Sequence, residues 1–206
     1  MQKLVKGLHA FQKGYFARHR KLFESLATDG QRPETLFITC SDSRVMPDLI
    51  TSAAPGDLFV VRNVGNVVPH PTLPGGTSAA IEYAVCVLGV ENIVVCGHTQ
   101  CGAVQAILDP ASVGELPYVK QWLSQADAVK RVIDEKYGHL EGEARMTAAV
   151  EENVLSQIDN LREYDFVSER LDAGKLHLSA WVFHLGRGEV FDFDPEVGEF
   201  IRVRTA

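Results

Sequence analysis

Two short stretches carry the residue types able to do chemistry. Cys40-Ser41-Asp42-Ser43-Arg44 offers a thiol, a carboxylate and a guanidinium at alternate positions, and His98-Thr99-Gln100-Cys101-Gly102 adds an imidazole and a second thiol. Two cysteines and one histidine form a soft three-ligand set suited to zinc. Three protein ligands with the fourth position open is the catalytic pattern. At an extended strand end, alternate residues point to one side, so Asp42 can stand with Cys40 and pair bidentately with Arg44. His98 and Cys101 are three apart, within reach of one ion from a single turn. A structural site with Asp42 as permanent fourth ligand fits the same spacing.

The chemistry follows from the ligand charges. Two thiolates neutralise Zn²⁺, so a bound water is acidified less than at a three-histidine site. Asp42, kept ionised by Arg44, can only accept a hydrogen bond. It therefore orients a zinc-bound hydroxide with a lone pair toward an incoming electrophile. If the Asp42–Arg44 pair breaks, the carboxylate can swing onto zinc and expel the water.

Each stretch follows a buried-strand pattern, Thr35–Thr39 before the first and Asn92–Cys96 before the second. Apolar β-branched runs of this kind suit parallel strands covered on both faces. Ligands in open α/β sheets collect outside the carboxyl ends of such strands. Leu58–Val61 reads as a further strand after the Pro55-Gly56-Asp57 turn, and Arg62-Asn63 leaves it at the same edge as Cys40. Met46-Pro47-Asp48 opens a short helix. Apolar spacing predicts helices over Thr77–Leu88, stopped by Gly89, and over Gly102–Leu108. One long helix is predicted on the stripe Leu116, Val119, Leu123, Ala126, Val129 and Ile133, and another on Met146, Val150, Val154, Ile158 and Leu161. Leu176–Leu185 and Val190–Phe193 form a hairpin around Gly186-Arg187-Gly188. The expected fold is α/β: one domain over 1–206 with a mostly parallel central sheet, flanking helices, an N-terminal helical arm and a C-terminal β-hairpin.

The arm spans residues 1–25. Its first 23 residues hold six Lys or Arg and no acid, as in a targeting peptide, but Leu4, Leu8, Phe11 and Tyr15 recur at helical spacing with no apolar core or cleavage site behind them. An amphipathic helix packing on a partner subunit is the better reading. A net charge of −7 argues against non-specific nucleic-acid binding. No apolar run approaches the ~18 residues of a membrane span. Four cysteines in 206 residues make no disulfide framework, and reduced thiols fit a cytoplasmic compartment. Cys86 and Cys96 read as small core residues, with Cys96 close enough to His98 to remain a ligand candidate. His70, in the Gly/Pro-rich loop 65–76, reads as a solvated loop histidine rather than a proton shuttle.

Taken together, the motifs Cys-Ser-Asp-Ser-Arg and His-x-x-Cys-Gly, with Phe59-Val60-Val61-Arg62-Asn63 and Ala80-Ile81-Glu82-Tyr83-Ala84, resemble the β-class carbonic anhydrases from the first helix to the last strand. The resemblance implies zinc on Cys40, His98 and Cys101, with Asp42–Arg44 as the orienting dyad and Asp42 on the metal only in a closed state. It implies a substrate pocket of Gln31, Phe59, Val64, Tyr83 and the Gly102 amide, and reversible hydration of CO₂ to bicarbonate and a proton. It also implies homodimers wrapped by N-terminal helices, or dimers of dimers. Carboxysomal members carry a long C-terminal extension; this chain stops at Ala206, so cytoplasmic residence is expected and carboxysomal residence is an unsupported alternative. Some members close their site by binding bicarbonate with a Trp, an Arg and a Tyr. The matching positions here are Phe37, Arg62 and Phe183. Two donors to the anion are missing, so an open site with Asp42 on Arg44 is expected. Hydrolysis of CS₂ or COS on the same zinc, and a non-catalytic zinc or bicarbonate-binding protein, are the alternative readings.

Overall fold

A computed structural model describes residues 1–204. The chain opens with α1 (Gln2–Phe11), a π-helical turn over Gln12–Phe16 and α2 (Arg20–Asp29). The predicted arm is thus two helices, which part at His19. Neither buries a residue. Phe11, Tyr15, Phe16 and Phe23 pack on one another with ring centroids 5.1–6.3 Å apart, and Leu4 and Leu8 stay exposed.

Strand β1 (Thr35–Cys40), α3 (Pro47–Thr51), β2 (Leu58–Asn63), α4 (Gly76–Glu82) and β3 (Asn92–His98) follow. Next come α5 (Gly102–Leu108), α6 (Pro117–Leu123), α7 (Asp127–Lys136), α8 (Gly142–Arg162), α9 (Asp165–Asp172) and strands β4 (His177–His184), β5 (Glu189–Asp194) and β6 (Glu199–Arg202). The sheet order is β2-β1-β3-β4-β5-β6. The first four strands are parallel and the last two antiparallel. From β1 the chain steps outward to β2, then crosses back to β3 on the other side of β1. The strand order therefore reverses between β1 and β3, and a crevice opens at their carboxyl ends. Cys40 ends β1 and His98 ends β3.

The main core lies on one face of the sheet. Leu36, Ile38, Ile93, Val95, Ala180 and Val182 meet Val150, Val154, Ile158 and Leu161 of α8 there. Gly97 marks the closest approach: a Cβ at that position would stand 2.6 Å from Val154 Cγ2 and 3.2 Å from Val150 Cγ1. Gly97→Ala should therefore destabilise the fold by about 1–3 kcal/mol, the usual range for overpacking. Urea unfolding measures it, and an unchanged midpoint would show that α8 yields freely. The other face carries a smaller cluster of Phe37, Val94 and Cys96 with Leu58, Trp181 and Phe183.

Four expectations need correction. The long helix through Leu116–Ile133 is broken into α6 and α7 by a 3₁₀ turn over Ser124–Ala126. The stripe steps by three at Leu123, Ala126 and Val129, which is the 3₁₀ period, and Leu116 is exposed. The helix predicted over Thr77–Leu88 winds as a π-helix from Tyr83 to Leu88. It stops at Gly89 as expected, with φ 70°, and Arg170 of α9 caps the carbonyls of Val85, Gly89 and Val90. Cys86, on that π segment, is exposed rather than in the core. The C-terminal hairpin gains a third strand, β6.

Candidate metal centre

Three ligand atoms meet in the crevice. Cys40, His98 and Cys101 are all buried, and their ligand atoms lie within 4.8 Å of one another. Gln100 takes the left-handed conformation, φ 58°, which turns the chain so that His98 and Cys101 face the same point. Cys101 then caps α5, leaving the Gly102 amide in the exposed first turn.

The Cys40 and Cys101 sulfurs are 4.0 Å apart. Two sulfurs each about 2.3 Å from a tetrahedral zinc lie roughly 3.8 Å apart. His98 Nδ1 is 2.9 Å from the Thr99 carbonyl. It donates there, which leaves Nε2 as a lone-pair nitrogen. That Nε2 is buried and has no hydrogen-bond partner. An orphaned imidazole nitrogen beside two thiol sulfurs fits a soft divalent ion. The close contact with Cys101 holds the Cys40 thiol below its ordinary range. The same contact and burial push Cys101 up.

Asp42 sits at the mouth. Its Oδ2 is 3.8 Å from His98 Nε2. Arg44 binds it at three points: Nη2 to Oδ2 at 2.7 Å, Nε to Oδ1 at 2.9 Å, and the backbone N–H to Oδ1 at 2.9 Å. The Arg44 guanidinium beside Asp42 holds its carboxyl well below the usual carboxylate range. Arg44 Nη2 also donates to the Gln100 carbonyl at 3.2 Å, tying the two motifs together. Arg62 grips the first motif from beneath, donating to the carbonyls of Cys40, Asp42 and Val45 at 3.3, 2.8 and 2.9 Å.

The five residues assigned to a substrate pocket do not converge in one chain. Val64 follows β2 beside Cys40, and Gly102 adjoins Cys101. Phe59 lies four residues back from Asn63, the register partner of Cys40, which is ~13 Å along a strand. Tyr83 stacks with Phe59 at a centroid distance of 6.0 Å and is 45% exposed. Gln31 is exposed and precedes β1. Cys96 is fully buried in the cluster on the second face, outside the three-ligand group, and burial pushes its thiol up to about 12. His70 is exposed and bonds Thr72 at 2.9 Å. Phe37 packs edge-on against Trp181 at 6.0 Å.

Sequence reasoning missed the residues that hold the loop after β2. Asn63 bonds Val67 in both directions, at 2.7 and 2.8 Å. Asn153, Gln157 and Asn160 of α8 bond Gly65 O, Val68 N and Val68 O at 3.1, 2.8 and 2.8 Å. Trp122 Nε1 donates to the Val64 carbonyl at 2.7 Å. The available signal was three amides at spacings of four and three, interleaved with the apolar stripe of α8.

A mostly parallel α/β sheet with two thiols and an imidazole converging at its switch point defines a protein able to hold a soft divalent metal. The carbonic anhydrase family profile matches residues 35–190. A carbonic anhydrase of Synechocystis is 46% identical over 203 residues, covering 98% of this chain and 74% of the relative. One from Pseudomonas aeruginosa is 44% identical over 202 residues, covering 98% and 91%. The solved β-carbonic anhydrase CcaA superposes with a TM-score of 0.96 at 45% identity, over 98% of this chain and 99% of that one. A tetrameric β-carbonic anhydrase of Sordaria macrospora gives 0.84 at 30%, over 93% and 95%. The chain belongs to the carbonic anhydrase family and is a β-class enzyme.

Proposed function

We propose that this chain hydrates CO₂ reversibly at one zinc ion held by Cys40, His98 and Cys101. The observation that carries the reading is the buried, partnerless Nε2 of His98 beside two sulfurs and facing Asp42. Zinc bound there would supply Lewis-acid activation of water. Asp42, ionised and fixed by Arg44, can only accept, and would hold such a water in one orientation. Residues of the chain do the rest. Val64 presents an apolar side chain beside the cysteines, and the Gly102 amide offers a donor to a substrate oxygen.

Gln31, Phe59 and Tyr83 would complete the pocket from a second copy, since the strand geometry keeps Phe59 and Tyr83 away from their own chain's ligands. The unpartnered apolar face of the N-terminal arm supports a homodimer or a dimer of dimers. We read residues 1–206 as one domain. Four free thiols support a cytoplasmic site of action. No helix among the described residues is long and apolar enough to cross a membrane. The three Arg62 bonds to carbonyls, and the lack of a donor on Phe37 and Phe183, support a centre that stays open near neutral pH with Asp42 on Arg44.

The zinc-loaded protein should hydrate CO₂ between pH 7 and 9, followed by stopped-flow proton release, and should do so faster than it hydrolyses CS₂. Negligible hydration overturns the proposal, and faster CS₂ hydrolysis would move the substrate to the sulfur analogue.

A further inference from the structure

The helix that carries Tyr83 changes register along its length. Gly76–Glu82 winds as an α-helix and Tyr83–Leu88 as a π-helix. In an α-helix the Gly89 N–H would bond the Val85 carbonyl, four residues back. Here it bonds the carbonyl of Ala84, where the Val90 N–H joins it at 3.1 Å. Arg170 of α9 takes up the carbonyl so released. Its Nη1 donates to Val85 at 3.2 Å, and its Nη2 donates to the carbonyls of Gly89, Val90 and Lys175 at 3.3, 3.1 and 3.3 Å. All of these bonds go to backbone, so the guanidinium acts on the course of the chain.

A π turn is rare and occurs mostly as a single turn inserted in an α-helix. Without the guanidinium, the Val85 carbonyl regains a partner within the helix only if the Gly89 N–H returns to it, which is the α register. With the Gly89 end fixed ahead of β3, that rewinding would carry Tyr83 by one residue's step, ~1.5 Å along the axis and ~100° around it. Tyr83 now lies against Phe59 with ring centroids 6.0 Å apart. Phe59 cannot follow, because it is held in β2 opposite Leu36 of β1. We propose that Arg170 is a positioning residue of the substrate pocket: it holds the π register, and the register keeps the Tyr83 ring on Phe59. The pocket role of Tyr83 is the reading proposed above, and this inference rests on it.

Arg170→Met tests it with three readouts. Its crystal structure should show the Gly89 N–H returned to the Val85 carbonyl. The fluorine resonance of 3-fluorotyrosine placed at position 83 should shift, with or without metal. In the zinc-loaded protein KM for CO₂ should rise about tenfold, the low end for a lost apolar contact in a pocket, with kcat unchanged. Should that variant fold poorly, Arg170→Lys keeps the charge but offers one ammonium to four carbonyls, and should give the same changes to a smaller extent. Ile133→Val trims the α7 core at a residue with no bond to the 83–90 segment, and should lower stability while leaving register, resonance and KM in place. A retained π register or an unmoved resonance in Arg170→Met overturns the inference, as does an equal rise in KM in Ile133→Val. An unchanged KM in Tyr83→Leu overturns the pocket assignment of Tyr83 itself.

Discussion

Cys40→Ser, His98→Ala and Cys101→Ser should each strip the protein of its metal and abolish measurable CO₂ hydration. Each change removes one of three ligand atoms that the fold brings within 4.8 Å of one another. Loss of an outer partner to a metal site already costs about 10–100-fold in affinity, so loss of a ligand should cost more than ~100-fold. Cys86→Ser and Cys96→Ser should keep one zinc per chain. Cys86 is exposed and apart from the centre, and Cys96 is buried in the other face of the sheet. Metal analysis of the five dialysed variants decides the matter. Zinc lost from Cys96→Ser but retained by Cys40→Ser would overturn the ligand set.

The second large effect is expected at Asp42. Asp42→Asn should retain zinc and lose about 10²-fold or more in hydration rate, the lower range for loss of a positioned proton-handling group. The side chain keeps its shape, but an amide NH₂ can donate where the carboxylate can only accept, so water at the metal is no longer held in one orientation. Three hydrogen bonds from Arg44 hold the carboxylate ionised. Its depressed pKa means that the negative form is present at every pH above the ordinary carboxylate range and is lost only on strong acidification. The defect should therefore persist across pH 6–9 rather than appear at one end. Near-normal rates from zinc-replete Asp42→Asn would show that the carboxylate has no orienting role.

The metal centre was legible in the sequence because its ligands sit at strand ends, where two short motifs and the runs before them announce both chemistry and position. The π-helical turn over Tyr83–Leu88 was not, because apolar spacing alone does not distinguish it from an α-helix. The break between α6 and α7 left a trace in its spacing of three, which an α-helical stripe also contains. The amides of Asn153, Gln157 and Asn160 were silent for another reason. Their partners are backbone groups 88, 89 and 92 positions away, and a backbone acceptor leaves no mark on the sequence it belongs to. The separation of Phe59 and Tyr83 from Cys40 was readable in principle, since Phe59 stands at the start of β2 and Asn63 at its end.

The contact between Cys40 and Cys101 has a thermodynamic consequence. Their sulfurs meet at 4.0 Å across 61 positions of chain. That span contains β2, α4 and β3, including the whole crossover that reverses the strand order. An ion held by both sulfurs would close this loop in the folded chain. For a permanent covalent clasp, closing a loop of this length would stabilise the fold by about 4 kcal/mol. A reversible ion contributes instead through its preference for the folded arrangement, so its binding free energy becomes folding free energy. Chelation would then loosen the crossover as well as silence the chemistry, and supply of the ion would govern how long the crossover resists unfolding.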